Sequence, residues 1–191
     1  MVPSPRSDPR VERSRAAVIA ATLELLTEHG YAGTSIDAIS KRSGVARTTI
    51  YRHWHSLAEI AHEAAISSSP EHVVPDTGDL RGDIRGLAGH LADKLNESGW
   101  GELLPTLIDA ARRDPEILAL QQRVSHDRRT ASMAVIERAQ ANSELKDGIN
   151  LDIVGEMMVG AIFTRHLVSH RPLNDEFLDQ LTDEVYRHIA R

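Results

Sequence analysis

The sequence contains no cysteine, which rules out disulfides and thiolate metal sites and suits a reducing compartment. No apolar run approaches the ~20 residues needed to cross a bilayer. The opening stretch MVPSPRSDPR has no apolar core segment and does not read as a secretory signal. The cytoplasm is the expected address. Catalytic signatures are missing too: there is no GxSxG, GxGxxG, P-loop or HExxH, and HEAAI at His62 shares only its first two letters with the last. No strand pattern, internal repeat or low-complexity tract interrupts the chain. No catalytic residue, cofactor or metal site is expected.

What is present is 191 residues with 41% hydrophobic content, enough for one or two domains with a sizeable core. The net charge of −6 is unevenly spread. The first 60 residues hold eight Lys/Arg against six Asp/Glu (+2), leaving 14 against 22 (−8) for the rest. A basic first third on an acidic body fits polyanion binding by one end, and equally fits an ordinary solvated surface.

The periodicity is helical throughout, so the expected fold is all-α. Residues 1–10, rich in Pro and Arg, are expected to form a disordered basic arm. From Val11, Ala16, Ile19, Leu23 and Leu26 share a face until Gly30 stops the helix. Thr34 or Ser35 caps a second short helix with Ile36 and Ile39 inward, and Gly44 gives the turn. GVARTTIYRHW, Gly44 to Trp54, supplies a third helix with Ile50 as its plain apolar anchor. Ser56 and Glu59 stand at capping-box spacing and open a fourth helix through about Ser67. SSSPEHVVPDTG then breaks the pattern, which places a domain boundary near residue 70: a first domain over 11–69 and a helical body over 70–191.

In the body, stripes recur at Leu80, Ile84, Leu87, Leu91 and Leu95, at Ile117, Leu120, Val124, Ala131 and Val135, and at Leu178, Leu181, Val185 and Ile189. Asp114, Asn150 and Asn174 are the expected caps. LDIVGEMMVGAIFTRHLVSH is apolar on most sides, so both of its faces are expected to be covered.

Two short helices joined by a Gly-containing turn form a helix-turn-helix unit, whose second helix enters the major groove. The polarity of Arg47, Thr48, Thr49, Tyr51, Arg52 and His53 then has a purpose, because a groove-borne helix must offer donors to phosphates and base edges. Arg47 has the strongest case for a base contact. Tyr51 and Arg52 have packing and free-surface alternatives. Arg10, Arg13 and Arg15 suit either backbone contacts or a disordered arm.

The stretch GYAGTSIDAISKRSGVARTTIYRHWHSLAEI resembles the DNA-binding region of the tetracycline-repressor (TetR) family. Gly30-Tyr31, Thr34-Ser35-Ile36, Ile39, Gly44-Val45, Thr49-Ile50-Tyr51, His53-Trp54 and Ser56 carry the likeness over about residues 12–66. LIDAARRDPEILALQQRV and LVSHRPLNDEF more loosely resemble carboxy-terminal domains of that family. The resemblance implies an all-helical homodimeric regulator with a ligand and dimerisation domain. Repression of operator DNA, relieved by a small molecule, is the implied activity. Ser35 and His55 join the expected DNA-binding set, His55 as a substitute phosphate donor because Leu57 stands where the family usually has Lys. Trp54 replaces the commoner Phe.

The expected partners are double-stranded, palindromic operator DNA, a second copy through residues 151–190, and a small, largely apolar effector. Residues set among apolar ones, His90, Trp100, Met157, Phe163 and His166, are candidate pocket walls, each with a packing alternative. His166 and His170, spaced i, i+4, would permit a metal but lack a third ligand. Two rival classes remain at this point: a constitutive DNA-binding or architectural protein without effector, and a helical metal-binding protein or enzyme.

Overall fold

The computed structural model describes residues 9–67, 74–97 and 99–191. Nine α-helices are described: α1 Pro9–His29, α2 Ile36–Ser43, α3 Arg47–His53, α4 Leu57–Ser67, α5 Leu80–Glu97, α6 Gly99–Ala111, α7 Pro115–Ala141, α8 Leu151–Phe163 and α9 Asp175–Ile189. A π-helical turn, Thr164–Val168, follows α8 directly. No strand occurs among the described residues, and the only β-bridge pairs Leu145 with Ala190. The all-α expectation holds.

The chain forms two compact units, 1–69 with 102–122, and 70–101 with 123–191. Residues 102–122, expected in the body, pack within the first unit. The reason is a cluster in which Leu103, Ala110, Ala111, Ile117 and Leu120 bury against Leu26, Ala58 and Ala61. Most of SSSPEHVVPDTG lies outside the described residues, as does the expected arm up to Asp8. Pro9 and Arg10, assigned to the arm by sequence, already belong to α1, where Pro suits the first turn.

In the first unit, α1 buries Val18, Ile19, Ala21, Thr22, Leu25 and Leu26. The buried stripe is turned from the expected one. Ala16 is exposed and Leu23 half-buried, while Ala21 and Thr22 allow neighbouring helices close approach. Buried Thr22 satisfies its hydroxyl on the Val18 carbonyl at 2.7 Å. Ser35 is the cap of α2: its Oγ accepts the Ala38 N–H at 3.2 Å. Thr34 instead turns inward, donating to the Gly30 carbonyl. Gly44 ends α2 at φ 71°, a conformation that favours glycine. A core of Val18, Leu25, Ile39, Ile50, Trp54, Ile60 and Ala64 then holds the first four helices together.

In the second unit, Leu80, Ile84, Val135, Ala139, Leu145, Val154, Val185 and Ile189 form the core. Arg81 pairs with Asp183 at 2.7 Å, and Arg85 with Asp175 and Asp179, tying α5 to α9. Asp83 is buried and accepts from Arg138 and from the Thr77 hydroxyl and N–H. Burial alone would raise its carboxyl. The Thr77 N–H, the Arg138 guanidinium and the Thr77 hydroxyl outweigh this and hold it below the usual carboxylate range.

In α8 the expected cover is present on one face of the helix. Val154 and Ile162 are buried, but Ile153 and Met157 are 51% and 59% exposed and Gly160 is open. Within one chain, only one face of this apolar helix is covered.

Candidate nucleic-acid interface

α3 has seven residues and a single buried side chain, Ile50, with buried Trp54 closing its carboxyl end. Its first residue follows Ala46, which offers no side-chain cap. So short a helix is marginal alone, and Ile50 and Trp54 hold it, each burial contributing about 1.5–3 kcal/mol. They leave the opposite arc open. Arg47, Thr48, Tyr51 and Arg52, at i, i+1, i+4 and i+5, are all exposed. Thr49 and His53 flank the anchored side and are half-buried.

Tyr51 is 46% exposed, so about half of its side chain is open to solvent. Arg47 lies against Asp37 of α2, Nη1 to Oδ1 2.9 Å, with both side chains more than half exposed. Arg52 has no ion-pair partner among the described residues, and neither does Lys41. Ser35 sits at the exposed start of α2 and His55 is exposed just past α3. His53 is the outlier of the expected set: its Nε2 is buried and has no hydrogen-bond partner among the described residues. Its ring meets Trp54 edge-on at 5.7 Å.

Other cations of the basic third are already engaged. Arg42 binds Glu24 and Glu28 at 2.9 Å, and its hydrogen bond is the main cause holding Glu28 below the carboxylate range. Arg15 binds Glu63 at 2.7 Å, so it is not the free arm residue that a basic tail would require. Arg13 donates to the Pro9 carbonyl.

Leu57, standing where Lys was expected, packs half-buried against the Ile50–Trp54 core. Ser56 caps α4, its Oγ accepting the Glu59 N–H at 3.1 Å, while Glu59 reaches one residue further back than the capping box requires and accepts the His55 N–H at 2.7 Å. Ser56 also donates to Glu116 at 2.6 Å.

The candidate pocket residues all belong to the second unit. Trp100 is buried; His90, Phe163 and His166 are half-buried. Met157 does not fit an inner wall, since it stands exposed on α8 beside Ile153. A cavity of about 70 Å³ in this unit is lined by Asp76, Asp79, Asp83, Arg138 and Glu144 among others, and by none of the five. The histidine pair is not a ligand pair on one α-helical face. His166 sits in the π turn, and His170 lies beyond it at φ 48°. No group of three His, Asp or Glu among the described residues could hold a metal.

Sequence reasoning missed the pairing of Asp37 with Arg47, and missed Glu63 and Glu116, whose partners lie outside their own helices. It found Asp114 as a cap but not its bond to Tyr31.

Comparison with known proteins agrees with this geometry. Residues 18–64 match the domain described as bacterial regulatory proteins, tetR family. Residues 74–185 match the tetracyclin repressor-like C-terminal domain. The chain is 28% identical over 188 residues to the HTH-type transcriptional regulator YdeS of Bacillus subtilis, covering 97% of this chain and 94% of that one. It is 29% identical over 189 residues to the DNA-binding transcriptional repressor TetR of Mycobacteroides abscessus, covering 95% and 96%. In three dimensions it is similar to the TetR family transcription regulator SCO0332, with a TM-score of 0.67 and 25% identity over 91% of this chain and 97% of that one. No described helix is long and apolar enough to cross a membrane.

Proposed function

The chain belongs to the tetR family of bacterial regulatory proteins, a DNA-binding regulator of transcription, and from that premise we propose that it is a repressor. It binds a palindromic operator as a two-fold dimer and is released by a small, largely apolar molecule. The observation that carries the reading is the open arc of α3: Arg47, Thr48, Tyr51 and Arg52 point away from the Ile50–Trp54 anchor. Arg47 is suited to a bidentate contact with guanine. Tyr51, Arg52, Ser35 and His55 are suited to phosphates, which fix register without reading sequence.

One α3 touches too few base pairs for high specificity, and a dimer places two of them about 34–36 Å apart on one duplex face. The uncovered Ile153 and Met157 of α8 support pairing through residues 151–190, because apolar surface left open on a helix marks an interaction site. The effector acts in the body, with Trp100, Phe163, His90 and His166 as wall residues. It releases DNA by its differential affinity for the two head spacings, a coupling of ~1–3 kcal/mol. The −8 charge beyond residue 60 favours a neutral or cationic molecule.

The test is selection of duplexes from a random pool by the purified protein, followed by a panel of hydrophobic compounds on the resulting complex. A recovered inverted repeat, released by one of the compounds, supports the reading. Recovery without release by any compound favours a constitutive binder, and no recovered sequence refutes operator binding.

A further inference from the structure

Glu63 on α4 uses both carboxylate oxygens on other helices. Oε1 accepts from Arg15 Nε of α1 at 2.7 Å. Oε2 accepts from the indole Nε1 of Trp54, the residue that closes α3, at 2.8 Å. The third side of the triangle is also occupied, for the Arg15 guanidinium carbon lies 5.6 Å from the Trp54 ring centre, within cation–π range.

Each member has a physical reason to be there. Trp54 is 3% exposed, and a buried indole N–H needs an acceptor. A phenylalanine could fill the same core but could not engage Glu63, because it has no N–H to donate. A carboxylate facing only an indole would keep a partly buried charge without a cation, and Arg15 supplies one. One turn earlier on α4, Glu59 accepts the His55 N–H. Two carboxylates on successive turns of α4 therefore grip successive residues, Trp54 and His55, at the exit of α3. Ile50 and the Trp54 ring keep α3 on the core, but apolar packing is non-directional and does not by itself fix the helix angle.

We infer that Glu63 is a positioning residue, which through the Trp54 indole fixes the angle of α3 against α1 and α4 and so sets how strictly the dimer measures the spacing of its two half-sites. The inference rests on the operator-binding reading above. With the triangle intact, α3 moves only with α4 and α1. With the indole bond removed, each α3 can tilt about Ile50, and a dimer with tilting heads tolerates a displaced half-site.

The experiment uses the full chain with Trp54→Phe, Glu63→Ala and Glu63→Gln. Trp54→Phe removes the donor and keeps the aromatic packing. Glu63→Gln removes the charge and keeps an oxygen that accepts the indole N–H. Affinity is measured on the selected operator and on duplexes with one base pair inserted or deleted between half-sites. Trp54→Phe and Glu63→Ala are expected to lose spacing discrimination by about tenfold, the effect of one charge-assisted bond. Glu63→Gln is expected to keep most of it. Ile84→Val in the core of the second unit, outside the proposed dimer segment and the DNA-reading unit, serves as a variant that lowers melting temperature and leaves spacing discrimination unchanged. Hydrogen exchange of the amides at 50–54 gives a readout without DNA, and is expected to be about tenfold faster in Trp54→Phe. Unchanged spacing discrimination together with unchanged exchange in Trp54→Phe overturns the inference, as does a Glu63→Gln loss equal to that of Glu63→Ala. If the wild-type chain selects no duplex, the operator reading fails instead, and the exchange result alone decides the role of Glu63.

Discussion

The hydroxyl of Tyr31 donates to Oδ2 of Asp114 over 2.8 Å, although 83 positions separate them in the chain. Asp114 uses its other oxygen to cap α7, accepting the N–H groups of Glu116 at 2.9 Å and Ile117 at 3.4 Å. One carboxylate thus starts a helix and fastens it to the turn between α1 and α2. With Ser56 bonded to Glu116, the start of α7 is held at both turns that flank the helix-turn-helix unit.

The first prediction concerns pH. Burial, then the bond to Asp114, pushes the Tyr31 phenol well above its ordinary value. The Tyr31 hydroxyl and the two N–H groups hold Asp114 below its own, against a smaller opposing effect of burial. The raised phenol contributes stability that is present below about pH 10 and lost as pH rises beyond it. The lowered carboxyl contributes stability that is present above about pH 4 and lost as pH falls below it. Tyr31→Phe is therefore expected to cost about 1 kcal/mol between those limits, or about 2–4 °C in melting temperature. Outside them the two proteins should converge. Thermal melts from pH 3 to 11 check this, and a constant difference across the range would count against it.

A second expectation concerns α8. Ile153 and Met157 are the open apolar residues of that helix, and their cover in a dimer is worth about 1.5–3 kcal/mol each. Ile153→Asp with Met157→Asp should raise the dimer dissociation constant at least about 100-fold, with little change in monomer helicity. Sedimentation equilibrium decides; a double variant that stays dimeric at the wild-type concentration places the interface elsewhere.

Leu57 allows a third test. Its side chain packs half-buried on the Ile50–Trp54 core at the first position of α4. Leu57→Lys should cost about 1 kcal/mol of stability through lost apolar cover. Its stem can still lie along that surface with the ammonium in solvent. If position 57 faces the DNA backbone, the slope of log K against log salt steepens by about 0.9. An unchanged slope shows that it does not.

What the sequence disclosed was mostly local. Ser56, Asp114, Asn150 and Asn174 were each identifiable as caps, and Ser35 as one of two candidates with Thr34, because a cap depends on residues within three positions, and all five accept N–H groups at the start of their helices. The open arc of α3 was legible for the same reason: one apolar letter among polar ones leaves little choice of face. Failures arose where the partner is distant. The α1 stripe was misphased because Ala21 and Thr22 do not look like core residues, yet close helix packing selects small side chains. The π turn at Thr164–Val168 has no signature in its letters, and it separates His166 from His170, which a continuous α-helix would have stacked. Glu63, a charged residue on a mostly apolar helix, carries no mark of its two partners. The burial of the His53 Nε2 likewise carries no mark in the sequence.

The central claim, that Arg47 on the open arc of α3 reads a base, has a direct measurement: affinities of wild type and Arg47→Ala for the selected operator and its single-base-pair variants at fixed salt. Arg47→Ala should lose about 1–3 kcal/mol on the operator and lose preference at one base pair in each half-site. The exposed Asp37 pair that Arg47 leaves behind is worth little in solvent and does not oppose this loss. Tyr51→Phe, measured alongside, should weaken all the duplexes by a similar factor. An Arg47→Ala protein with unchanged affinity and an unchanged preference at every position would contradict the account.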